Sequence, residues 1–347
     1  MIPRLDIKFP IKRQWCYWFG KEYEPKQGEY LVNHARTGIV MALKASVPEG
    51  SRVGVVAYNC HTVANAVVNA GCKPVFVDVT DELKINVDAL TADLDAIVVT
   101  NLFGIRNDIK AIRKRCPKAI IIVDNAHGYG LPAEGDFTVY SINQGKFPAL
   151  GCGGILCVNI KENKNKENTA CAEENIKGND SKSKKNNPAI DEMYAAMPSY
   201  GFVAQVKLFM QMLAKAIAYS PCFYWLVMRM KKSSNPKVHE KVVMMKMAPG
   251  VRRMYQAALP EIPQMIEIQR QNAAKIERAF CGENAFMAIV HTDDPTALQK
   301  QYAARGIETA THFNRCIEWA KQFGYVEGSC PMAEKLVNHL LMIPTYF

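Results

Sequence analysis

Six short apolar runs punctuate the first half of the chain: VGVVAY at 53–58, CKPVFVDV at 72–79, AIVVTNLF at 96–103, AIIIVDNA at 119–126, FTVYSI at 137–142 and GGILCVNI at 153–160. They are rich in β-branched residues and lack polar alternation, the pattern of strands buried on both faces of a parallel sheet covered by helices. Between them, HTVANAVVNAG (61–71) and NDIKAIRKRCPK (107–118) have helical spacing, the first stopping on Gly71 and the second on Pro117. The pattern predicts an α/β layered domain with a mainly parallel sheet over residues 1–160. It then breaks. Residues 161–189 are Lys-, Asn-, Glu- and Ser-rich with almost nothing to bury, a mobile polar insertion by composition. A strongly apolar helical stretch from 199 runs into a basic patch, and together 161–250 form an insertion. After Gly250, a long helical pattern (252–280), a strand-like FMAIVHT (286–292) and a further helix (294–306) predict a smaller α+β domain over 251–347.

Composition narrows the class. Of 347 residues, 49% are hydrophobic and 22% charged, which excludes a disordered or collagen-like chain. Eleven cysteines without a CxxC pair argue against a disulfide framework or metal cluster and for a reducing, cytoplasmic setting. The N-terminus has no apolar run of signal-peptide length, and the longest charge-free apolar stretch, residues 216–228, is too short to span a bilayer. The net charge of +10 is concentrated: Arg229, Lys231, Lys232, Lys237, Lys241 and Lys246 face only Glu240 in their window. With the aromatic residues Phe223, Tyr224 and Trp225 just before it, residues 199–246 read either as a peripheral contact with an anionic membrane or as a helix pair covering the core or a dimer interface. No nucleic-acid recognition motif accompanies the charge.

Three places stand where such sheets put ligands, at the carboxyl ends of strands. Asp124 closes an apolar strand, as a turn-forming acid or as a charge facing a ligand. Lys146 follows the strand ending at Ser141 and precedes GCGG, where backbone can come close to a ligand; it is a solvated surface charge or a desolvated amine able to form a Schiff base. Ala35, Arg36 and Thr37 open a helix whose free N–H groups suit a phosphate, unless Thr37 is a plain cap.

Together these parts, in this order, resemble the DegT-type sugar aminotransferases, fold-type I pyridoxal phosphate enzymes. AGCKPVFVDVTDELKINVDAL (70–90), VDNAHGYG (123–130), RGIETATHF (305–313) and CPMAEKLVNHLLMIP (330–344) carry the likeness further. The resemblance implies a fold-type I three-layer domain and an aminotransferase that takes an amino group from a donor such as L-glutamate and gives it to a nucleotide-linked keto sugar, whose diphosphate suits the basic chain. It implies that Lys146 holds pyridoxal 5'-phosphate and shuttles the proton, and that Asp124 pairs with the pyridinium nitrogen. Ser141 and Thr37, with the Arg36 N–H, would bind the phosphate. His127 would sit near the ring, and Cys60 or His61 would occupy the place of a stacking aromatic. His312 would contact substrate, as would Arg252 or Arg253, which stand in APGVRR where the family presents an asparagine from the partner subunit. The resemblance further implies a homodimer working in surface polysaccharide or related glycan synthesis. Lysine at 146 argues against the dehydratase branch, which has histidine there. The family continues beyond the position of Phe347, so a truncated C-terminus is the expectation. The alternatives are another pyridoxal phosphate reaction on a non-sugar or lipid-linked ketone, and a non-catalytic membrane-peripheral family member.

Overall fold

The computed structural model describes residues 14–159, 187–218 and 238–346. The polar run at 161–186, and most of the aromatic and basic segment at 219–237, lie outside the described residues. Seven strands form the main sheet: β1 (Glu29–Val32), β2 (Arg52–Val56), β3 (Lys73–Val77), β4 (Ala96–Thr100), β5 (Ile120–Asn125), β6 (Phe137–Ser141) and β7 (Gly154–Val158). Their order is β1-β7-β6-β5-β4-β2-β3. All pairs from β3 to β6 are parallel, and β7 alone runs against its neighbours. The six apolar runs are thus strands β2 to β7.

The two sides of the sheet follow from period-two alternation. Ala96, Val98, Ile122, Val139 and Leu156 face one core with helix α1 (Ala35–Ser46) and helix α2 (His61–Asn69). Ile97, Val99, Ile121, Val123 and Ile155 face the other. On that second side lie α3 (Ile109–Arg115), capped by Asp108 onto the Ala111 N–H at 3.0 Å, and α6 (Pro249–Ala258). Between them in sequence come α4 (Pro188–Ala196) and α5 (Phe202–Ala218). The helical pattern after Gly250 is interrupted around Pro260, giving α6 and then α7 (Ile262–Ala273). A three-stranded antiparallel sheet follows, ordered β10-β9-β8, from β8 (Phe280–Cys281), β9 (Met287–His291) and β10 (Leu340–Pro344). Helices α8 (Pro295–Ala304), α9 (Cys316–Lys321) and α10 (Pro331–Leu336) complete the chain. Phe286, Met287, Leu340 and Met342 join the same apolar cluster as Ile97 and Val123, so the second sheet packs onto the first through one continuous core.

The strand order reverses between β2 and β4, since β2 passes outward to β3 and the chain returns on the other side. The carboxyl ends flanking such a reversal leave a crevice, because the connections leave in opposite directions.

Candidate active site

Asn59 and Cys60 follow β2, Thr100 ends β4, Asp124 lies in β5 and Ser141 ends β6. The parallel register sets Thr100 opposite Asp124. A hydrogen-bond chain ties these strand ends together: Cys60 N–H donates to Asn59 Oδ1 at 2.7 Å, Asn59 Nδ2 to Thr100 Oγ1 at 2.9 Å, and Thr100 Oγ1 to Asp124 Oδ2 at 3.4 Å. The other carboxylate oxygen accepts the Ala126 N–H at 3.0 Å. Asp124 is buried, and desolvation lifts its pKa above the usual carboxylate range despite the Ala126 N–H, Lys146 and Thr100. The fold therefore places a carboxylate where a positive partner would relieve it.

Opposite stands Lys146, in the loop after β6. Burial lowers its pKa, against the pull of Cys60 and Asp124 toward the charged form. Its Nζ lies 2.6 Å from His127 Nε2. The His127 ring is buried and stacked against Phe103 and Phe286, each at 5.1 Å, and Phe313 at 6.0 Å. Desolvation, with Lys146 and His312 adding to it, takes its pKa well below the ordinary histidine value.

The start of helix α1 lines the same cleft with groups that favour an anion. Helix α1 begins there with no side chain capping it, and Ala35, Arg36 and Ser141 line the wall. Its N-terminal partial positive charge and Arg36 both favour phosphate. Ser141 Oγ accepts the Asn143 N–H at 3.4 Å, and its O–H can donate to an anion. His34 lines the same wall; burial and Arg36 bring its pKa down to about 4, so the ring is neutral at pH 7.

Six of the residues singled out in the sequence thus share one cleft: Arg36, Cys60, Asp124, His127, Ser141 and Lys146. The other five, Thr37, His61, Arg252, Arg253 and His312, lie outside that lining. Thr37, in the first turn of α1, is fully buried, its hydroxyl donating to Asn33 Oδ1 at 2.7 Å, so the side chain of that turn that lines the cleft is Arg36. His61 turns away and packs edge-on to Trp319 at 5.0 Å, in a neighbouring crevice. Arg252 and Arg253 both pair with Glu22 and donate to the carbonyls of Tyr23 and Tyr17, which clamps the N-terminal segment onto α6. His312 lies in the aromatic cluster, 5.9 Å edge-on from Phe103, and its carbonyl accepts the Tyr58 hydroxyl. Burial pushes the Cys60 thiol up, but His61, Lys146 and Thr62 bring it down to about 7.

Sequence reasoning missed His34, Asn59, Thr100, Asn143 and Phe313 in this wall. Asn59 and Thr100 had a readable signal, a polar residue closing an apolar strand. Phe313 had none, since it arrives from far along the chain in a left-handed conformation (φ 59°).

These features fit pyridoxal phosphate. The cleft spans about 760 Å³ of space including open solvent, is lined by an uncapped helix start, and holds a destabilised buried carboxylate and a desolvated amine. The chain matches the model of the DegT/DnrJ/EryC1/StrS aminotransferase family over residues 29–220 and 242–347. It is 26% identical over 329 residues to the "Pleiotropic regulatory protein" of Geobacillus stearothermophilus, covering 89% of this chain and 77% of that one. In fold it is similar to the sugar aminotransferase CalS13 from Micromonospora echinospora, with a TM-score of 0.65 at 14% identity over 99% of this chain and 95% of that one. It is also similar to the E. coli GDP-4-keto-6-deoxy-D-mannose-3-dehydratase with bound hydrated PLP, with a TM-score of 0.62 at 15% identity over 98% and 87% of the two chains. With a family match over most of its length and a cleft that fits the cofactor, the chain belongs to the DegT/DnrJ/EryC1/StrS aminotransferases, pyridoxal phosphate-dependent enzymes of fold-type I.

Proposed function

We propose that this chain transfers an amino group from L-glutamate to a keto sugar carried on a nucleoside diphosphate, as a cytoplasmic homodimer serving surface polysaccharide or related glycan synthesis. The observation that carries the reading is the desolvated Lys146 amine facing the buried Asp124 carboxylate across one cleft. When bound there, pyridoxal phosphate supplies a carbonyl that takes up the amino group and a ring that accepts electrons. Lys146 would hold the cofactor, and its Nζ would then move the proton to and from the substrate carbon. Asp124 would keep a ring nitrogen protonated, which relieves its own unpaired burial. Arg36, Ser141 and the start of α1 would seat the phosphate, and the aromatic wall of Phe313 with His127 would exclude water. The net charge of +10 supports an acceptor bearing a diphosphate.

The test is the visible spectrum of the purified chain with pyridoxal phosphate, before and after L-glutamate without acceptor. The expected result is a yellow band that bleaches with glutamate. A band indifferent to every amino acid would overturn transamination.

A peripheral membrane contact is a second reading, supported by helix α5. Phe202, Val203 and Met210 are 72%, 80% and 55% exposed, and the helix carries Lys207 and Lys215 but no acid. Among the described residues no helix is long and apolar enough to cross a membrane. Cosedimentation with anionic but not neutral vesicles is expected; no binding to anionic vesicles would refute it.

A further inference from the structure

We infer that His127 is a positioning residue that keeps Lys146 as a free amine: a backbone N–H fixes the ring tautomer, so that Nε2–H donates to the Lys146 lone pair. The inference rests on the reading of Lys146 as the reacting amine and adds how its charge state is set.

The Phe103 N–H donates to His127 Nδ1 at 3.2 Å. An amide N–H cannot exchange its role for that of an acceptor, so Nδ1 carries a lone pair and the neutral ring holds its proton on Nε2. That Nε2 lies 2.6 Å from Lys146 Nζ. An ammonium has three donors and no acceptor, so it would set N–H against N–H; an amine has the lone pair the contact needs. An imidazolium fails at Nδ1 for the same reason.

The arrangement is held firmly. Asn284 Nδ2 donates to the His127 carbonyl at 2.8 Å, and three phenylalanines pack the ring. Phe103 adopts a left-handed conformation (φ 53°), followed by Gly104 at φ 81°. A bulky residue persists there only where its surroundings over-determine it, and here that conformation belongs to the residue whose N–H reaches His127. The other titratable groups divide. Asp124 and Cys60 draw Lys146 toward the ammonium, while His312 disfavours charge on His127. Burial of both partners favours the neutral pair.

The consequence is chemical. An ordinary lysine is an amine only about once in 10³ at pH 7, whereas a base that takes a proton from carbon must start unprotonated.

The test uses the full-length chain freed of cofactor and labelled with 15N-histidine. Two-bond nitrogen–proton spectra at pH 7 should show His127 as a neutral ring protonated on Nε2; an Nδ1-protonated ring or an imidazolium would overturn the inference. A second measurement follows the rate of pyridoxal phosphate capture against pH. H127Q can offer an oxygen to the Phe103 N–H and an N–H to Lys146, so it should stay within about threefold of wild type with the same profile. H127M has no N–H to give Lys146; it should be slower by about tenfold at pH 7 and gain rate as pH rises, one pKa unit being a factor of ten. An unchanged H127M profile would count against the lock. If the wild-type chain shows the Nε2 tautomer but captures no pyridoxal phosphate, the lock stands and the cofactor reading falls.

Discussion

Adding one methyl group at Gly154 should damage the phosphate seat without touching it. A Cβ there would lie 2.4 Å from the Ala35 nitrogen, 2.5 Å from the His34 carbonyl carbon and 2.8 Å from the Ala35 Cα. Ordinary contact begins near 3.4 Å, so strand β7 and the start of α1 must part by about 1 Å. Every clashing atom is main chain, and no rotamer can relieve the contact. Strand β7 is held on both sides, Gly154 pairing with Val32 of β1 and Ser141 of β6, so the displacement falls on the first turn of α1. That turn carries Ala35 and Arg36 on the cleft wall. Overpacking of this kind costs about 1–3 kcal/mol of stability. A 1 Å misplacement of a binding group can cost on the order of 10²-fold. G154A should therefore melt several degrees lower and bind pyridoxal phosphate much more weakly in an absorbance titration. Pyridoxal, which lacks the phosphate, isolates the cause: its affinity should change little. G201A, with nothing within 4 Å of the added carbon, is the control and should match wild type. Wild-type pyridoxal phosphate affinity in G154A, or equal loss with both ligands, would refute the reasoning.

Other outcomes follow from the same geometry. K146A should fold but show no transamination and no borohydride-fixable attachment of pyridoxal phosphate; retained turnover would remove Lys146 from its role. D124N keeps the Ala126 N–H acceptor and can donate to Thr100, so transamination should fall by about 10²–10³ while the cofactor-free chain stays folded. Because burial raises the Asp124 pKa, ionising it above the unfolded value works against the fold as pH rises, and D124N should unfold at pH 8 no earlier than wild type in urea. His34 has the opposite dependence. With its pKa lowered from 6.5 to about 4, the folded chain binds fewer protons there than the unfolded chain in that window. Stability should therefore fall between pH 6.5 and 4, and H34Q should flatten the urea midpoint across that range.

Strands β2 to β7 were legible because a strand covered on both faces must be apolar at every position, and that leaves an unbroken run. Strand β1 was not, being four residues, EYLV, beside the reversed strand β7. Once the runs were strands, their carboxyl ends already gathered Asp124, Ser141 and Lys146 on one edge. The choice between Arg36 and Thr37 was beyond the sequence, since both lie in the first turn of α1 and only packing on β6 and β7 decides which faces the cleft. Gly38 brings α1 so near Val139 and Leu156 that its neighbour Thr37 is sealed beneath it. Arg252 and Arg253 looked available because their partners, at residues 17–23, form a short segment with no periodicity to announce that it packs on α6.

The glycine return after Lys146 shows how a residue can signal close approach without naming what approaches. A glycine says that something approaches its backbone more closely than a Cβ allows; it does not say what. The sequence reading supplied a ligand, because GCGG stands beside Lys146. In the structure the approaching groups are protein: Met212 at Gly151, Ile142 at Gly153, and the backbone of His34 and Ala35 at Gly154. The functional consequence survives in a different form, because the contact at Gly154 fixes where α1 begins. The wall of the cleft proposed to seat the phosphate is then set by a strand-to-helix contact, so its geometry should respond to Gly154 even though that residue is outside the cleft lining.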